Sequence, residues 1–476
     1  MKLYNTLSRR DDTLTPLGDS VKIYTCGLTV YSQPHIGNWV GYIYWDVLVR
    51  LLRHQGIKVE RTQNITDVGH LTSDDDAGED KMEKGAQREG ITAWDVAQKY
   101  IDIADHEAYE LLELVRPDHL VRATDYIPQQ IAFAQELEAK GFTYIIPGDG
   151  LYFDTSKLTD YGKLARLDIA GLEAGARVSV AGKRNITDFA IWKFSPTDTT
   201  RDMEWDSPWG KGFPGWHLEC SVIARETLGD QIDIHTGGID HIPVHHTNEI
   251  AQTESVTGTQ FAQIWLHNNH IKVDGQKMSK SLGNIITLSD ITEKGVSVMA
   301  FKLLVLAKHY RTEGNFTWDN LEAAQRRLNH WYDYAALRHQ IHASLESDHA
   351  RATSDDGLSF FSATHALVEA LENNLDTPGA TTLVDDVFAQ IDRTPIDSLH
   401  RRSFIEFLQT IDELLGLDLI EKTPDISDNA KQLIIARERA RDAKQWQRSD
   451  ELRDELAEQG ITLRDTPSGT IWTILT

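Results

Sequence analysis

The sequence predicts an α/β fold in which a parallel-sheet domain comes first, helices follow, and a small helix-and-hairpin segment closes the chain. Three observations carry this. Residues 21–67 read as strand, helix, strand; residues 295–420 have a helical pattern almost throughout; and EKTPDISD (421–428) sets apart a last, highly charged segment. A chain of 476 residues has room for about two to four domains.

The elements follow in order. VKIYTC (21–26) has the composition of a short strand, with Val21 and Ile23 on one side. A loop with Gly27, Pro34 and Gly37 leads into WVGYIYWDVLVRLLRHQG (39–56), an apolar helix that stops at Gly56. IKVERTQNITD (57–67) supplies a second strand, and a strand-helix-strand unit this short requires a parallel sheet. Ligands of such sheets lie at the carboxyl ends of the strands, beside helix N-termini, which is where Cys26 and His35 fall. Residues 72–90, polar and acidic with interspersed glycines, read as a loop or loosely packed excursion. From about 125 to 200 a mixed region has the look of an insertion, and strand signals return at QIDIHTGG (231–238) and IWLHNNHIKV (264–273). The last segment reads as a charged helix followed by a hairpin, TLRDTPSGTIWTIL.

Composition excludes several classes. The longest nearly apolar stretch, MAFKLLVLA (299–307), is too short for a bilayer and contains Lys302. MKLYNTLSRRDD lacks the apolar middle of a signal peptide, and two cysteines in the whole chain cannot build a disulfide scaffold, so a cytoplasmic protein is expected. The net charge of −25 opposes general nucleic-acid binding, though not a local neutral or basic RNA-facing surface.

Four strings carry chemistry. In PGWHLECS (214–221), Trp216 and Cys220 are four apart and share a helix face. In HTGGIDHIPVHHTNEIAQTE (235–254), His245 and Glu249 have the same spacing, so both can converge on one ion. With Cys26 they make two thiolates, an imidazole and a carboxylate, a set of the right softness for tetrahedral zinc. On composition alone, the cysteines could equally be small buried hydrophobes. His246 is an alternative nitrogen ligand, expected to point about 100° away from Glu249 around a helix, so His245 is preferred. KVDGQKMSKSLGN (272–284) sets Lys277 and Lys280 in a glycine-containing loop suited to clamping a polyphosphate. His35 in HIGN stands at a helix start, where an imidazole and backbone N–H groups suit an anion.

Taken in order, HIGN after the first strand and KMSKS after the last, with a cysteine shortly before the first, resemble the class I aminoacyl-tRNA synthetases and, within them, the cysteinyl-tRNA synthetase family. NITDV (64–68), DFAIWK (188–193), SPWGKGFPGWHLECS (207–221), GGIDHIPVHHTNEIAQ (237–252) and the C-terminal RDAKQWQRSDELRDELAEQGITLRDTPSGTIW (441–472) fit the same family, so the resemblance spans residues 3–472. It implies a class I Rossmann-like catalytic domain (1–295) with a connective insertion (about 125–200), a stem-contact junction (296–330), a helical bundle (331–422) and an anticodon-binding module (423–476). It further implies one Zn2+ per chain on Cys26, Cys220, His245 and Glu249, selecting the sulfur of L-cysteine. ATP, with Mg2+, would be bound by His35, Asn38, Gly238, Asp240, Lys277 and Lys280, with His35 and Lys280 catalytic. Gly27, Thr66 and Trp216 would form the cysteine pocket. tRNA(Cys) would be the acceptor and the protein a monomer. Residues 431–464 carry eight basic and seven acidic side chains, near neutral within an acidic chain, and Trp472 beside them is expected to stack on an anticodon base.

Three departures stand out. Asn38 occupies the place of the first motif's last histidine; it can donate to phosphate but carries no charge. HTGGID has threonine, and HNNH asparagine, where the family usually has glycine. Other readings are a cysteine ligase of the mycothiol pathway, which lacks a matching C-terminal segment, a non-catalytic RNA-binding paralogue, and a zinc-structured protein without activity. The last leaves His35 and Lys280 unexplained.

Overall fold

The computed structural model describes residues 1–68, 80–167, 182–196, 201–279, 282–341, 359–394, 396, 399–466 and 469–474. The chain forms two compact units, Met1–Ile291 with Tyr310–Asn315, and Thr292–His309 with Phe316–Thr476. Among the described residues no helix is long and apolar enough to cross a membrane.

The first unit opens with an antiparallel ribbon, β1 (Lys2–Asn5) and β2 (Arg10–Thr13). The expected strand-helix-strand follows as β3 (Val21–Thr25), α1 (Ile36–His54) and β4 (Val59–Ile65), with β3 and β4 parallel and Ile23 opposite Arg61. α1 starts three residues before the anticipated Trp39. Asn38 accepts the backbone N–H of His35 at 2.9 Å, which closes the first turn from inside the helix. Ile36, Ile43, Val47 and Leu51 bury one side of α1 in the core.

The stretch 72–90 is corrected by the structure where it is described. α2 (Lys81–Glu89) is a regular helix, started by Asp80, whose carboxylate accepts the backbone N–H groups of Met82 and Glu83 at 2.7 and 3.3 Å. Only Met82, Gly85 and Ala86 are buried, and so thin an apolar stripe among charges leaves little periodicity to read. α3 (Ala93–His106) and β5 (His119–Arg122), parallel to β4, complete this half.

The insertion contains α4 (Ile127–Ala139) and an antiparallel sheet of β6 (Thr143–Ile146), β7 (Gly150–Phe153), β8 (Phe189–Phe194) and β9 (Gly212–Pro214), which runs past residue 200. Phe153 and Phe189 stack at its centre, 5.0 Å apart. α5 (Trp216–Leu228), β10 (Ile232–Gly238), α6 (His245–Thr257) and β11 (Ala262–Asn268) return to the main sheet. Its order is β11-β10-β3-β4-β5, all parallel, with helices between successive strands, so every strand delivers its carboxyl end to the same edge. β12 (Ile271–Val273) pairs with β13 (Gly314–Phe316), and α7 (Leu288–Glu293) lies between them in sequence.

The second unit is helical: α8 (Val298–Leu306), α9 (Trp318–Ala336), α10 (Phe360–Glu372), α11 (Thr377–Ile391) and α12 (Arg401–Leu415). Trp331, Phe388, Phe404 and Phe407 are fully buried in it. The closing segment has two helices where one was expected, α13 (Asp428–Asp442) and α14 (Trp446–Glu458), followed by the hairpin of β14 (Ile461–Thr466) and β15 (Gly469–Ile474).

Trp472 is not a surface ring. It is 5% exposed, packed with Ile434, Leu456 and Ile461, and its backbone exchanges two hydrogen bonds with the Gln340 side chain, at 2.8 and 3.0 Å. The inner face of the hairpin closes the core of this segment, so the ring cannot reach a base and the expectation for Trp472 fails.

A candidate metal and nucleotide site at the sheet edge

The carboxyl edge of the main sheet opens into a cleft of about 1610 Å³. Cys26 follows the last residue of β3. Its backbone N–H reaches the Thr236 carbonyl of β10 at 3.3 Å, and the buried Tyr42 hydroxyl of α1 donates to its carbonyl oxygen at 2.9 Å. Cys220 comes from the first turns of α5, with Trp216 one turn earlier, while His245 and Glu249 are one turn apart at the start of α6. Cys26, Cys220, His245 and Glu249 are all buried, and each offers a ligand atom within 4.8 Å of the others. His245 Nε2 lies 3.0 Å from Glu249 Oε1, and the Cys26 thiol lies 3.9 Å from the same oxygen.

Burial pushes the Cys26 thiol far above its ordinary value, with Cys220 and Glu249 adding to the shift. Against the same upward pull, the Cys26 hydrogen bond and the charge of His245 bring Cys220 down to about 6. His245, despite burial, is raised to about 10 by Glu249 and Cys220, and Glu249 is held below its ordinary value by His235 and His245. Two sulfurs, an imidazole and a carboxylate suit a tetrahedral borderline-soft ion such as zinc, which would take these groups in their deprotonated forms.

His246 is placed differently from expectation. Residues three apart on a helix are separated by only about 60° of rotation, and His246 Nε2 lies 3.2 Å from Cys26 Sγ and 3.9 Å from Glu249 Oε1. Cys26, His235, His246 and Glu249 thus form a second quartet of possible ligands sharing two members with the first. His246 Nδ1 is bonded to His267 Nε2 at 2.8 Å, and His267 Nδ1 to the Thr6 hydroxyl at 2.7 Å, so this imidazole also lies in a buried polar chain.

The remaining residues singled out in the sequence gather along the cleft. Gly27 and Thr66 line it; a Cβ on Gly27 would lie 1.5 Å from the Asn64 carbonyl oxygen, so no side chain fits there. The Trp216 ring sits 4.3 Å from the His245 ring, beside the ligand cluster. His35, Asn38, Gly238, Asp240 and Lys277 line the cleft too. Asp240 Oδ1 is 3.0 Å from His270 Nε2, a contact that lowers the carboxyl's pKa and raises that of the imidazole. Asn38 spends its amide oxygen on the α1 cap, so asparagine keeps the helix start intact. Lys280 lies outside the described residues. The two signature strings meet directly: the Ile36 N–H bonds the Ile286 carbonyl at 2.8 Å, and a Cβ on Gly37 would lie 2.5 Å from Met278 Cε.

Comparison with known proteins agrees with this geometry. A profile described as the tRNA synthetases class I (C) catalytic domain matches residues 14–326, and one described as the cysteinyl-tRNA ligase anticodon binding domain matches 423–472. A protein named cysteine--tRNA ligase 1 from Burkholderia lata is 44% identical, over 98% of this chain and 96% of its own length. This chain belongs to the cysteinyl-tRNA synthetase family.

A family relative named cysteine--tRNA ligase in Treponema denticola is 37% identical over 99% of both chains. Among solved structures, the ternary complex of the Agrobacterium radiobacter K84 agnB2 LeuRS with tRNA and LeuAMS superposes with a TM-score of 0.63 at 11% identity, covering 86% of this chain and 85% of that one, a likeness of fold. Within this member of the cysteinyl-tRNA synthetase family, sequence reasoning missed the histidine surround. His217 Nδ1 lies 2.9 Å from His245 Nδ1, and His235 Nε2 lies 2.8 Å from Glu249 Oε2. The crowding of seven of the 19 histidines into residues 217–270 was the available signal. It also missed Trp446, which is 60% exposed at the start of α14, between Lys444 and Arg448.

Proposed function

We propose that the chain is a cysteine–tRNA ligase that joins L-cysteine to AMP at the expense of ATP and passes the cysteinyl group to tRNA(Cys). The observation that carries this is the convergence of Cys26, Cys220, His245 and Glu249, the first three of them lining a cleft that both signature strings also line. Zinc, when bound there, would accept the thiolate sulfur of the substrate and bind the hydroxyl of serine poorly, a distinction an apolar pocket makes only weakly. His235 and His246, against Glu249 and Cys26, would hold those two ligands in place.

The chain's own residues then act on the nucleotide. Trp216 walls the amino-acid pocket, and Gly27 and Thr66 leave room for the substrate backbone. Asp240, with one carboxylate oxygen fixed by His270, is placed to take a ribose hydroxyl of ATP. His35 at the start of α1, with Lys277 and Lys280, would stabilise the charge that develops when the cysteine carboxylate attacks the α-phosphate, with Mg2+ on the phosphates. Asn38 serves by holding His35. In the closing module (423–476) Trp446 takes over the base-stacking role first given to Trp472. Residues 125–200 would be the connective insertion within a catalytic domain of 1–295, 296–330 the stem-contact junction and 331–422 a supporting bundle. The protein would work as a cytoplasmic monomer. Cysteine-dependent exchange between ATP and pyrophosphate tests the reading: exchange with cysteine and little with serine supports it, and equal exchange with both overturns it.

A further inference from the structure

We propose that His241 is a substrate-binding residue whose imidazole Nε2–H donates to one carboxylate oxygen of L-cysteine; this rests on the ligase reading above. His241 closes the short 3-10 turn Ile239–His241 that follows β10, one residue after Asp240 and four before His245. The side chain lines the cleft. Its ring centroid lies 5.1 Å from that of His245, 5.0 Å from that of His246 and 6.3 Å from that of Trp216, whose plane it meets at 81°. One imidazole thus borders the ligand cluster, the tryptophan wall of the amino-acid pocket and, through the backbone, the carboxylate assigned to the ribose.

Hydrogen bonding singles this ring out. Among the described residues neither of its nitrogens has a hydrogen-bond partner, and Nδ1 is buried. Nδ1 is pressed against the chain at Gly237, where a Cβ would lie 2.6 Å from it and 2.6 Å from His246 Cε1. A proton on Nδ1 would be a buried donor without an acceptor, so the ring carries its N–H at Nε2, on the side of the open cleft. The other pocket residues have spent their donors. Gly27 gives its N–H to Asn64 Oδ1 at 2.8 Å and Thr66 its backbone N–H to the Leu28 carbonyl at 3.0 Å, while the Thr66 hydroxyl accepts the Asn64 amide at 3.0 Å. Cysteine is small: with its sulfur at the ligand cluster, its carboxylate carbon is three bonds and at most about 4 Å away, within the space His241 borders. One carboxylate oxygen is held by Nε2–H. The other attacks the α-phosphorus; the new O–P bond forms as the bond to the bridging oxygen breaks, and pyrophosphate leaves with that electron pair. No proton moves in this step, so the imidazole orients the substrate and keeps its hydrogen.

The test compares the full-length variants His241→Leu, His241→Gln and His241→Asn with the parent. Losing a hydrogen bond to a charged group weakens binding roughly 10- to 100-fold. Calorimetric titration of His241→Leu with cysteine should show that loss, while cysteamine, which has the thiol and amine but no carboxylate, should bind variant and parent within about twofold. In ATP–pyrophosphate exchange, kcat/KM for cysteine should fall by the same factor with KM for ATP within about twofold, and zinc should stay at one per chain. Glutamine, whose amide N–H falls near the place of Nε2, should recover most of the loss; asparagine, which reaches only as far as Nδ1, should not. Unchanged cysteine affinity would make the ring plain packing, an equal loss for cysteine and cysteamine or a loss of zinc would make it a support of the ligand cluster, and a change confined to the KM for ATP would assign it to the nucleotide; each overturns the proposal. Absence of exchange in the parent would instead sink the ligase reading.

Discussion

Two tryptophans near the end of the chain offer a sharp test, because the sequence favoured one and the structure favours the other. Trp472 is 5% exposed and closes the core beneath the hairpin, whereas Trp446 is 60% exposed at the turn between α13 and α14. Replacing Trp472 by alanine removes a large buried ring, a change that costs about 3–5 kcal/mol in well-packed cores. Urea unfolding followed by circular dichroism should show that loss in the second unit, with any weakening of tRNA binding following from it. Replacing Trp446 removes little buried surface, so stability should hold within about 0.5 kcal/mol. A base stacked on an aromatic ring is worth about 1–3 kcal/mol, so tRNA(Cys) affinity should fall roughly 5- to 150-fold. A Trp446→Ala protein that binds tRNA like its parent, or a Trp472→Ala protein as stable as its parent but poor at binding, would refute the reasoning.

Other outcomes follow from the catalytic cleft. Cys220→Ser should lose bound zinc by elemental analysis and lose the preference for cysteine over serine; zinc retained at one per chain would show the ligand set to be wrong. Gly41→Ala would place a Cβ 2.6 Å from Asn268 Oδ1 and 3.3 Å from Trp45 Nε1, a clash of about 1–3 kcal/mol. The KM for ATP should rise several-fold while cysteine binding is kept, and the pair Gly41→Ala/Asn268→Gly should restore it. The Asp240–His270 contact gives a pH signature. The raised pKa of His270 means that the imidazolium's support is full below the ordinary histidine value and fades as pH rises through the folded one. The lowered pKa of Asp240 means that its support is full above the ordinary carboxyl value and lost only in stronger acid. With Lys277, Glu313 and His241 also acting on this corner, KM for ATP should stay flat through mild acid and rise on the alkaline side, and His270→Gln should remove that rise.

The core of the fold was legible because its chemistry is local. Val21, Ile23 and Val59 mark two strands, and a solidly apolar stretch between them marks α1, which fixes a parallel sheet and its functional edge before any contact is known. Three of the four candidate ligand positions belong to helices, and their one-turn spacings are visible in the sequence: Cys220 with Trp216, and His245 with Glu249. What escaped depended on burial or on angle. α2 carries its signal in a capping aspartate and three small or flexible buried residues, which an acidic composition masks. Trp472 was misassigned because a hairpin near the chain end gives no sign of which face the rest of the segment covers. The rotation of about 100° expected for His246 is the step between neighbouring residues; three residues from Glu249 it is only about 60° away, and Cys26 lies close to both histidines. The departures from the family pattern gain partners in three dimensions: Asn38 caps α1, Thr236 donates to the Thr25 hydroxyl at 3.0 Å, and the Asn269 side chain donates to the Arg311 carbonyl at 3.1 Å.

The claim on which the rest depends is that Cys26, Cys220, His245 and Glu249 hold a zinc ion that reads the substrate's sulfur. X-ray absorption at the zinc edge, on the full-length protein with and without amino acid, measures this most directly. Two sulfur neighbours are expected in the free protein and three after cysteine is added, with no change on adding serine. A zinc environment without sulfur, or one indifferent to cysteine, would contradict the account.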